Sequence, residues 1–311
     1  MTGRTFFVAV ASTGFFESPT IRSALLVGTL VAVVAGILGV FTVIRGQSFA
    51  GHALADLSAV GGSGAFLVGV SQLAGFVVAG LCAGIVMELI GVRRLRGRDV
   101  STGIILALGL GTTALFLYWD ATLGTSSSAT ISVLFGSLFV LDPGVLPTVV
   151  ILSIVALLIV VVLYRWLVME SFDPTLARAR GIPVRFTSIC FMLALALAVV
   201  LSSLTVGAIL STALLIGPAA TALLLTRRVG RALVLAAVLG VVTTWLGCLL
   251  SYESYTWNEH TGNWPVSFCI VAVIFVLYVL TRLGVGLAQR RTHSRAVSQA
   301  ARADAMLAEG L

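Results

Sequence analysis

The sequence is poor in charge: only 10% of its 311 residues are Asp, Glu, Lys or Arg. Between Arg45 and Arg93, the only residues of these four types are Asp56 and Glu88. Because roughly 20 apolar residues cross a hydrocarbon core of about 30 Å, such a stretch is long enough for two membrane-spanning helices. The lack of charge and a mean hydropathy of +1.12 argue against a soluble globular protein and predict a polytopic membrane protein.

Lysine is absent, so all 19 basic residues are arginine. The net charge of +7 would suit a nucleic-acid ligand, but the arginines cluster between apolar stretches, where they act as topology signals. We therefore expect no nucleic-acid partner. Each of the four cysteines lies inside an apolar run, without the spacing of a metal site or a disulfide framework.

The sequence also lacks a GxxxxGK[ST] loop for binding ATP phosphates. Its longest polar segments, 119–145 and 288–311, are too short to fold as separate domains. We therefore expect a single domain over 1–311, with a membrane-embedded core at 22–287 and a cytoplasmic tail at 288–311. Any energy that the protein uses must therefore come from a partner protein or an ion gradient.

Apolar windows of about 20 residues predict an all-α bundle of about nine spans. If the C-terminus is cytoplasmic, only Arg4 and Arg22 of the 19 arginines face outward, and the odd number of spans puts the N-terminus outside. The segment 131–141 is too short to cross, and the sequence leaves open whether it re-enters the membrane or lies flat. The predicted spans are 22–44, 49–68, 71–91, 100–118, 146–167, 185–204, 205–226, 231–251 and 266–287.

Two ionisable residues, His52 and Asp56, stand inside the second predicted span. Such groups are costly in a membrane and usually mark a substrate path. Their i,i+4 spacing puts both side chains on one helix face. One imidazole nitrogen and one carboxylate oxygen make half a site for a divalent cation such as Zn²⁺ or Mn²⁺. From these residues alone, an ion pair that only fixes helix packing and a proton relay of an ion-coupled carrier remain alternatives.

The loop after the fifth span contains residues that typically start and end a helix. Asp173 can cap a helix that begins at Pro174, and Gly181 can end it before Pro183. This pattern predicts a helix of fewer than ten residues on the cytoplasmic face. A helix that docks on a soluble partner needs such defined ends more than a loop that only joins two spans does. The two histidines outside the spans, His260 and His293, are interpreted as solvated side chains.

Four segments, in this order, resemble the permease of ABC-type metal-ion importers, the ABC-3 family driven by a separate ATPase. They are VIRGQSFAGHALAD at 43–56, RLRGRDVSTGI at 94–104, SFDPTLARARGIP at 171–183 and LTVGAILSTALLIGPAATA at 204–222. The resemblance runs from the first predicted span to the seventh.

This resemblance implies roles for particular residues. His52 and Asp56 fall on the metal ligands of the translocation path, although the family commonly has the acid first and the histidine second. The helix that docks into a groove of the ATPase would lie within 172–183. Its matching residues are Phe172, Asp173, Ala177 and Gly181. Gly217 and Pro218 fall where the family interrupts a span, and Pro218 can kink its helix.

The resemblance also implies an assembly. The expected complex is a homodimeric permease in the bacterial inner membrane, with a cytoplasmic ABC ATPase and an extracytoplasmic metal-binding protein. The chain itself would be no enzyme and would hold no permanent cofactor; zinc, manganese or iron would be its substrate. The alternatives are an ABC permease for an iron chelate or cobalamin-like cargo, and an ion-coupled secondary carrier.

Overall fold

A computed structural model describes residues 19–90, 98–123, 129–136, 138–139, 143–257 and 264–309. These residues form helices and turns and contain no β-strand, which confirms the all-α prediction. A 3₁₀ turn at Pro143–Val145 precedes the sixth α-helix. The α-helices are α1 (Pro19–Ile44), α2 (Ser48–Val68), α3 (Gln72–Ile90), α4 (Arg98–Leu123), α5 (Ala129–Phe135), α6 (Leu146–Phe172), α7 (Pro174–Ala179), α8 (Val184–Val206), α9 (Ser211–Leu225), α10 (Val229–Trp257) and α11 (Val266–Glu309).

In the described part of the chain, seven helices are long and apolar enough to cross a membrane: α1, α3, α4, α6, α8, α10 and α11. The two other predicted spans correspond to α2 and α9. α2 has 21 residues, but its glycines, serines, His52 and Asp56 lower its hydropathy. α9 has only 15 residues, about 22 Å of helix, which is less than the hydrocarbon thickness. The count of nine spans and the orientation of the termini therefore stay predictions.

The centre of the bundle is formed by α1 and α8, most of whose residues are buried. In contrast, α3, α4, α6 and α11 expose large apolar side chains, including Val78, Leu108, Val161 and Phe275. In water, so much exposed apolar surface would favour association. In a bilayer the same side chains contact acyl chains, so these outer helices carry the lipid-facing surface.

The joint between α8 and α9 lies later than the boundary predicted between 204 and 205. The helix breaks at Gly207, whose φ of +94° favours glycine. Helix α5 packs against this break: the Ala208 N–H donates to the Val133 carbonyl at 3.0 Å. A side chain on Gly207 would collide with the backbone of Leu134. Segment 129–135 is thus a short helix packed on the bundle, too short to span.

The structure contradicts the interruption predicted at Gly217 and Pro218, because α9 continues through both residues. Pro218 lacks the N–H that would donate to the Leu214 carbonyl, yet the residues on both sides of it keep the helical conformation. Gly217 instead allows close packing, since a side chain there would collide with Ile274 of α11. The observed break in this part of the chain is at Gly207.

Candidate metal centre

His52 and Asp56 lie one turn apart on α2, as their spacing predicts. His52 Nε2 and Asp56 Oδ2 are 3.8 Å apart, and this contact is an ion pair only when His52 is protonated. The two side chains differ in burial, with 34% of His52 and 2% of Asp56 exposed. At 1.5 Å per residue from Arg45, His52 lies about 10 Å and Asp56 about 16 Å along the helix. Helices α3, α4, α8 and α9 pack around α2.

Asp56 is a buried carboxylate with an unsatisfied oxygen. Among the described residues, its Oδ2 has no hydrogen-bond partner. Gly109 of α4 packs behind it, because a Cβ at that position would lie 3.4 Å from Asp56 Cβ. Buried polar atoms are normally hydrogen-bonded, and a buried carboxylate usually has a counter-charge. Asp56 Oδ2 therefore has the electrostatic character of a cation ligand.

The orientation of His52 depends on α9. Thr212 Oγ1 lies 3.3 Å from His52 Nδ1. In the tautomer with a proton on Nδ1, His52 donates to this hydroxyl, and Nε2 keeps its lone pair on the side of Asp56. Such a second contact fixes the ring of a metal-ligating histidine. Nothing in the sequence indicates Thr212, because 160 residues separate it from His52.

The geometry of this pair suits a single ion. Zn²⁺ lies about 2.0–2.2 Å from nitrogen and oxygen ligands, so an ion between two atoms 3.8 Å apart can reach both of them. The described residues contain no group of three or more His, Cys, Asp or Glu that could hold a metal. One chain thus supplies two ligands of this type and leaves the coordination shell incomplete.

A groove lies next to the pair. It runs between α9 and α11, has a volume of about 420 Å³, and contains Thr212 in its wall. Most of its other lining residues are apolar, and Tyr278 adds a hydroxyl group. Thr212 thus connects the surface of this groove with the imidazole of His52. The other lining residues are Ala213, Ile216, Gly217, Ala220, Val271, Ile274 and Phe275.

The segment predicted to dock a partner forms the short helix α7. Asp173 Oδ1 accepts hydrogen bonds from the backbone N–H groups of Thr175 and Leu176, at 2.8 and 3.0 Å. Gly181 ends the turn with φ of +76°, and the N–H of Ile182 donates to the Ala177 carbonyl. Asp173 and Gly181 therefore begin and end a short helix, as the sequence predicts.

The surface of this segment is both apolar and basic. Ala177 is fully buried against the bundle, while Phe172 and Leu176 are 67% and 46% exposed. Arg178 and Arg180 are exposed beside them.

The two other histidines cannot be compared with their predicted roles. His260 lies outside the described residues. The backbone of His293 belongs to the described part of α11, whereas its side chain is outside the described part of the structure.

Comparison with known proteins gives a consistent result. Residues 17–282 match the ABC 3 transport family. The manganese transport system membrane protein MntC of Listeria monocytogenes is 28% identical over 267 residues, which cover 86% of this chain and 92% of the relative. The chelated iron transport system membrane protein YfeC of Yersinia pestis is 31% identical over 231 residues, which cover 74% and 76%.

A solved structure shares the fold. PsaBC from Streptococcus pneumoniae, in complex with Fab, aligns with a TM-score of 0.75 at 26% identity, over 88% of this chain and 95% of that one. Since the family match covers 17–282 of the 311 residues, the chain belongs to the ABC 3 transport family: it is a multi-pass metal-ion permease subunit of the bacterial inner membrane, and a transport component rather than an enzyme.

Proposed function

We propose that the chain forms the translocation path of an ATP-driven importer for a free divalent transition-metal cation, with His52 and Asp56 as ligands. One observation carries this proposal: the buried Asp56 Oδ2 has no hydrogen-bond partner among the described residues and faces His52 Nε2 at 3.8 Å. A cation between these two atoms would supply the missing counter-charge.

Manganese is the first cargo to test. One nitrogen and one oxygen ligand, without sulfur, suit Mn²⁺, Zn²⁺ and Fe²⁺. Manganese stands in the names of several relatives, including MntC of Listeria monocytogenes and ScaB of Streptococcus parasanguinis, the latter 29% identical over 267 residues. The reversed order of acid and histidine keeps one ligand of each kind.

A second copy of the chain would complete the site. Two copies would bring two imidazoles and two carboxylates, which give four ligands and balance a charge of +2. The partly exposed His52 edge is the part of the pair that a second copy could approach. On this proposal, 1–311 is one permease domain, with the membrane core at 22–287 and the tail at 288–311 on its cytoplasmic side.

The energy for import would come from a cytoplasmic ABC ATPase that docks on α7. The exposed Phe172 and Leu176 would enter an apolar groove of that partner, and the buried Ala177 would transfer its motion to the bundle. An extracytoplasmic metal-binding protein would deliver the ion at the opposite end. This ATP-driven scheme replaces the ion-coupled carrier considered from the sequence, because the chain belongs to an ABC family.

A second candidate cargo is a chelated iron. The relative YfeC is named for chelated iron transport, and the groove beside Thr212 could admit something larger than a bare ion. A chelate carries its own ligands, so it would not need the nitrogen and oxygen of His52 and Asp56. The two candidates therefore differ in how strongly transport depends on this pair.

The experiment is uptake of manganese, zinc, ferrous iron and a ferric chelate by the assembled permease–ATPase complex in proteoliposomes supplied with its extracytoplasmic metal-binding protein. The wild-type chain is compared with His52→Ala and Asp56→Ala. We expect both variants to assemble with the ATPase and to lose uptake of the cargo ion. Ser63→Ala is the matched control, because Ser63 lies on the same helix and its hydroxyl is satisfied by the Ala59 carbonyl at 2.8 Å.

The outcomes separate the candidates. Loss of bare-ion uptake in both site variants, with uptake intact in the Ser63 control, supports the proposed function. Normal bare-ion uptake by both variants contradicts the role of the pair. Uptake of ferric chelate that survives both substitutions, together with no uptake of bare ions by the wild-type complex, would favour the chelated-iron cargo.

A further inference from the structure

A second polar cluster is buried at the end of the bundle that carries α7. Arg45 Nη2 donates to Glu170 Oε1 at 2.7 Å and to Ser188 Oγ at 3.3 Å. Ser188 Oγ donates to the same Glu170 oxygen at 2.7 Å. The three side chains therefore form a closed triangle that joins the α1–α2 turn, α6 and α8.

This cluster is shielded from solvent. The Arg45 and Glu170 side chains are only 7% and 2% exposed. The guanidinium carbon of Arg45 lies 4.7 Å from the centroid of the Phe191 ring, within range of a cation–π contact. A charge that is buried in this way is costly to leave unpaired, so the triangle should stay closed while the helices around it move.

The position of the cluster in the chain is as informative as its chemistry. Glu170 is three residues before Asp173, the cap of α7, and Ser188 is the fifth residue of α8, which follows the α7 segment. Glu170 of α6 and Ser188 of α8 therefore lie on either side of the predicted docking helix in the chain. Any displacement of α7 acts on these two helix ends first.

The third member, Arg45, connects the cluster to the metal pair. Arg45 belongs to a tight turn in which Gly46 has φ of +62° and the Gln47 N–H donates to the Thr42 carbonyl at 2.8 Å. Helix α2 starts directly after this turn, and His52 is seven residues beyond Arg45. Helix α6 packs mainly on α1 and α8. The hydrogen bond from Arg45 to Glu170 gives α6 a polar contact with the turn that precedes α2.

We infer that Arg45, held by Glu170 and Ser188, is a positioning residue that transmits movement of the α7 segment to the metal-site helix α2. The inference rests on the proposed function. The triangle acts as a rigid joint: when α7 is pulled by its partner, the ends of α6 and α8 carry Arg45 with them. The turn at 45–47 then shifts α2, and with it His52 and Asp56.

The test is the number of ATP molecules hydrolysed per manganese ion imported by the reconstituted permease–ATPase complex, supplied with the extracytoplasmic metal-binding protein. Glu170→Gln keeps a side chain of the same length but removes the charge that holds Arg45. We expect the complex to assemble and its ATP hydrolysis to stay within about twofold of wild type, while manganese uptake falls at least tenfold. Ser188→Ala, which removes a single hydroxyl, should reduce uptake by about two- to fivefold at unchanged hydrolysis.

Two further variants isolate the joint itself. The reversed pair, Arg45→Glu combined with Glu170→Arg, should recover a large part of the lost uptake per ATP. Arg165→Gln is the control for loss of a charge from α6, since Arg165 is exposed on the same helix, and it should leave the ratio unchanged.

A purely structural role would give a different result. Uptake and hydrolysis would then fall together, in proportion to the amount of assembled complex, and the ratio would stay constant in Glu170→Gln and Ser188→Ala. That outcome would overturn the inference and leave the proposed function intact. A wild-type complex that is supplied with the metal-binding protein and hydrolyses ATP, but imports none of the three metals, would overturn the proposed function, and the inference with it.

Discussion

Two of the buried carboxylates, Asp56 and Glu170, are held in different ways. Glu170 is paired with Arg45 at 2.7 Å and accepts a second hydrogen bond from Ser188. Asp56 is equally buried, yet its Oδ2 faces only His52 Nε2, at 3.8 Å, and has no hydrogen-bond partner among the described residues. The first carboxylate therefore has a counter-charge at hydrogen-bond distance within one chain, and the second does not.

This difference separates structural from transport chemistry. An ion pair at hydrogen-bond distance resists opening, because each partner would leave a buried charge behind. The His52–Asp56 pair gains stability when a cation arrives and loses the same amount when the cation leaves, without breaking an ion pair of the protein itself. A translocation site must bind and release its cargo, so the His52–Asp56 pair suits transport and the closely paired Arg45–Glu170 cluster suits a rigid connection.

The largest effect should appear when each carboxylate is removed. Glu170→Ala leaves Arg45 buried without its counter-charge and should destabilise the protein by about 3–5 kcal/mol. Asp56→Ala removes a charge that lacks a fixed partner, so its cost should be about 1 kcal/mol. The measurement is thermal unfolding of the purified chain in detergent without metal, where the first variant should unfold about 10 °C lower than wild type.

A metal titration of the same samples sharpens this contrast. Added manganese should raise the unfolding temperature of wild type and of Glu170→Ala, but not that of Asp56→Ala. If Asp56→Ala proved as destabilised as Glu170→Ala in the absence of metal, Asp56 would be part of a structural pair, and the comparison would fail.

The local features of the site could be predicted from the sequence. The spacing of His52 and Asp56 is enough to place them on one face of a helix. The residues Asp173, Pro174 and Gly181 are likewise enough to predict where α7 begins and ends, because capping acts within a few residues. These predictions succeed because each depends on backbone geometry over one or two turns.

The long-range features could not be predicted in this way. Thr212 and His52 are 160 residues apart, and Arg45 and Glu170 are 125 apart. No periodicity connects such positions, since only the packing of helices brings them together. The same limit explains the error at Pro218: proline disfavours a helix locally, but the packing of α9 in the bundle keeps the helix continuous.

A smaller effect is expected from the residue that orients the metal ligand. Thr212→Val keeps the volume of the side chain but removes the hydroxyl next to His52 Nδ1, so the imidazole loses a fixed orientation. Loss of such a contact typically weakens metal binding by about 10–100-fold. The measurement is a manganese binding isotherm of the purified permease, and uptake at saturating manganese should recover.

The control for this prediction is Thr243→Val, since the Thr243 hydroxyl bonds only to carbonyls of its own helix, α10, among the described residues. Equal affinity of Thr212→Val and wild type would show that α9 plays no part in holding His52. The metal site of one chain would then depend on His52 and Asp56 without support from Thr212.

The smallest effect concerns a third carboxylate, Asp173, which is exposed and satisfied by two backbone N–H groups. Asp173→Ala should cost about 1 kcal/mol of local helix stability, so amide hydrogen exchange at Thr175 and Leu176 should accelerate about fivefold. Asp173→Asn caps a helix equally well and should exchange at the wild-type rate. Faster exchange in both variants would mean that the negative charge, and not the cap, holds α7.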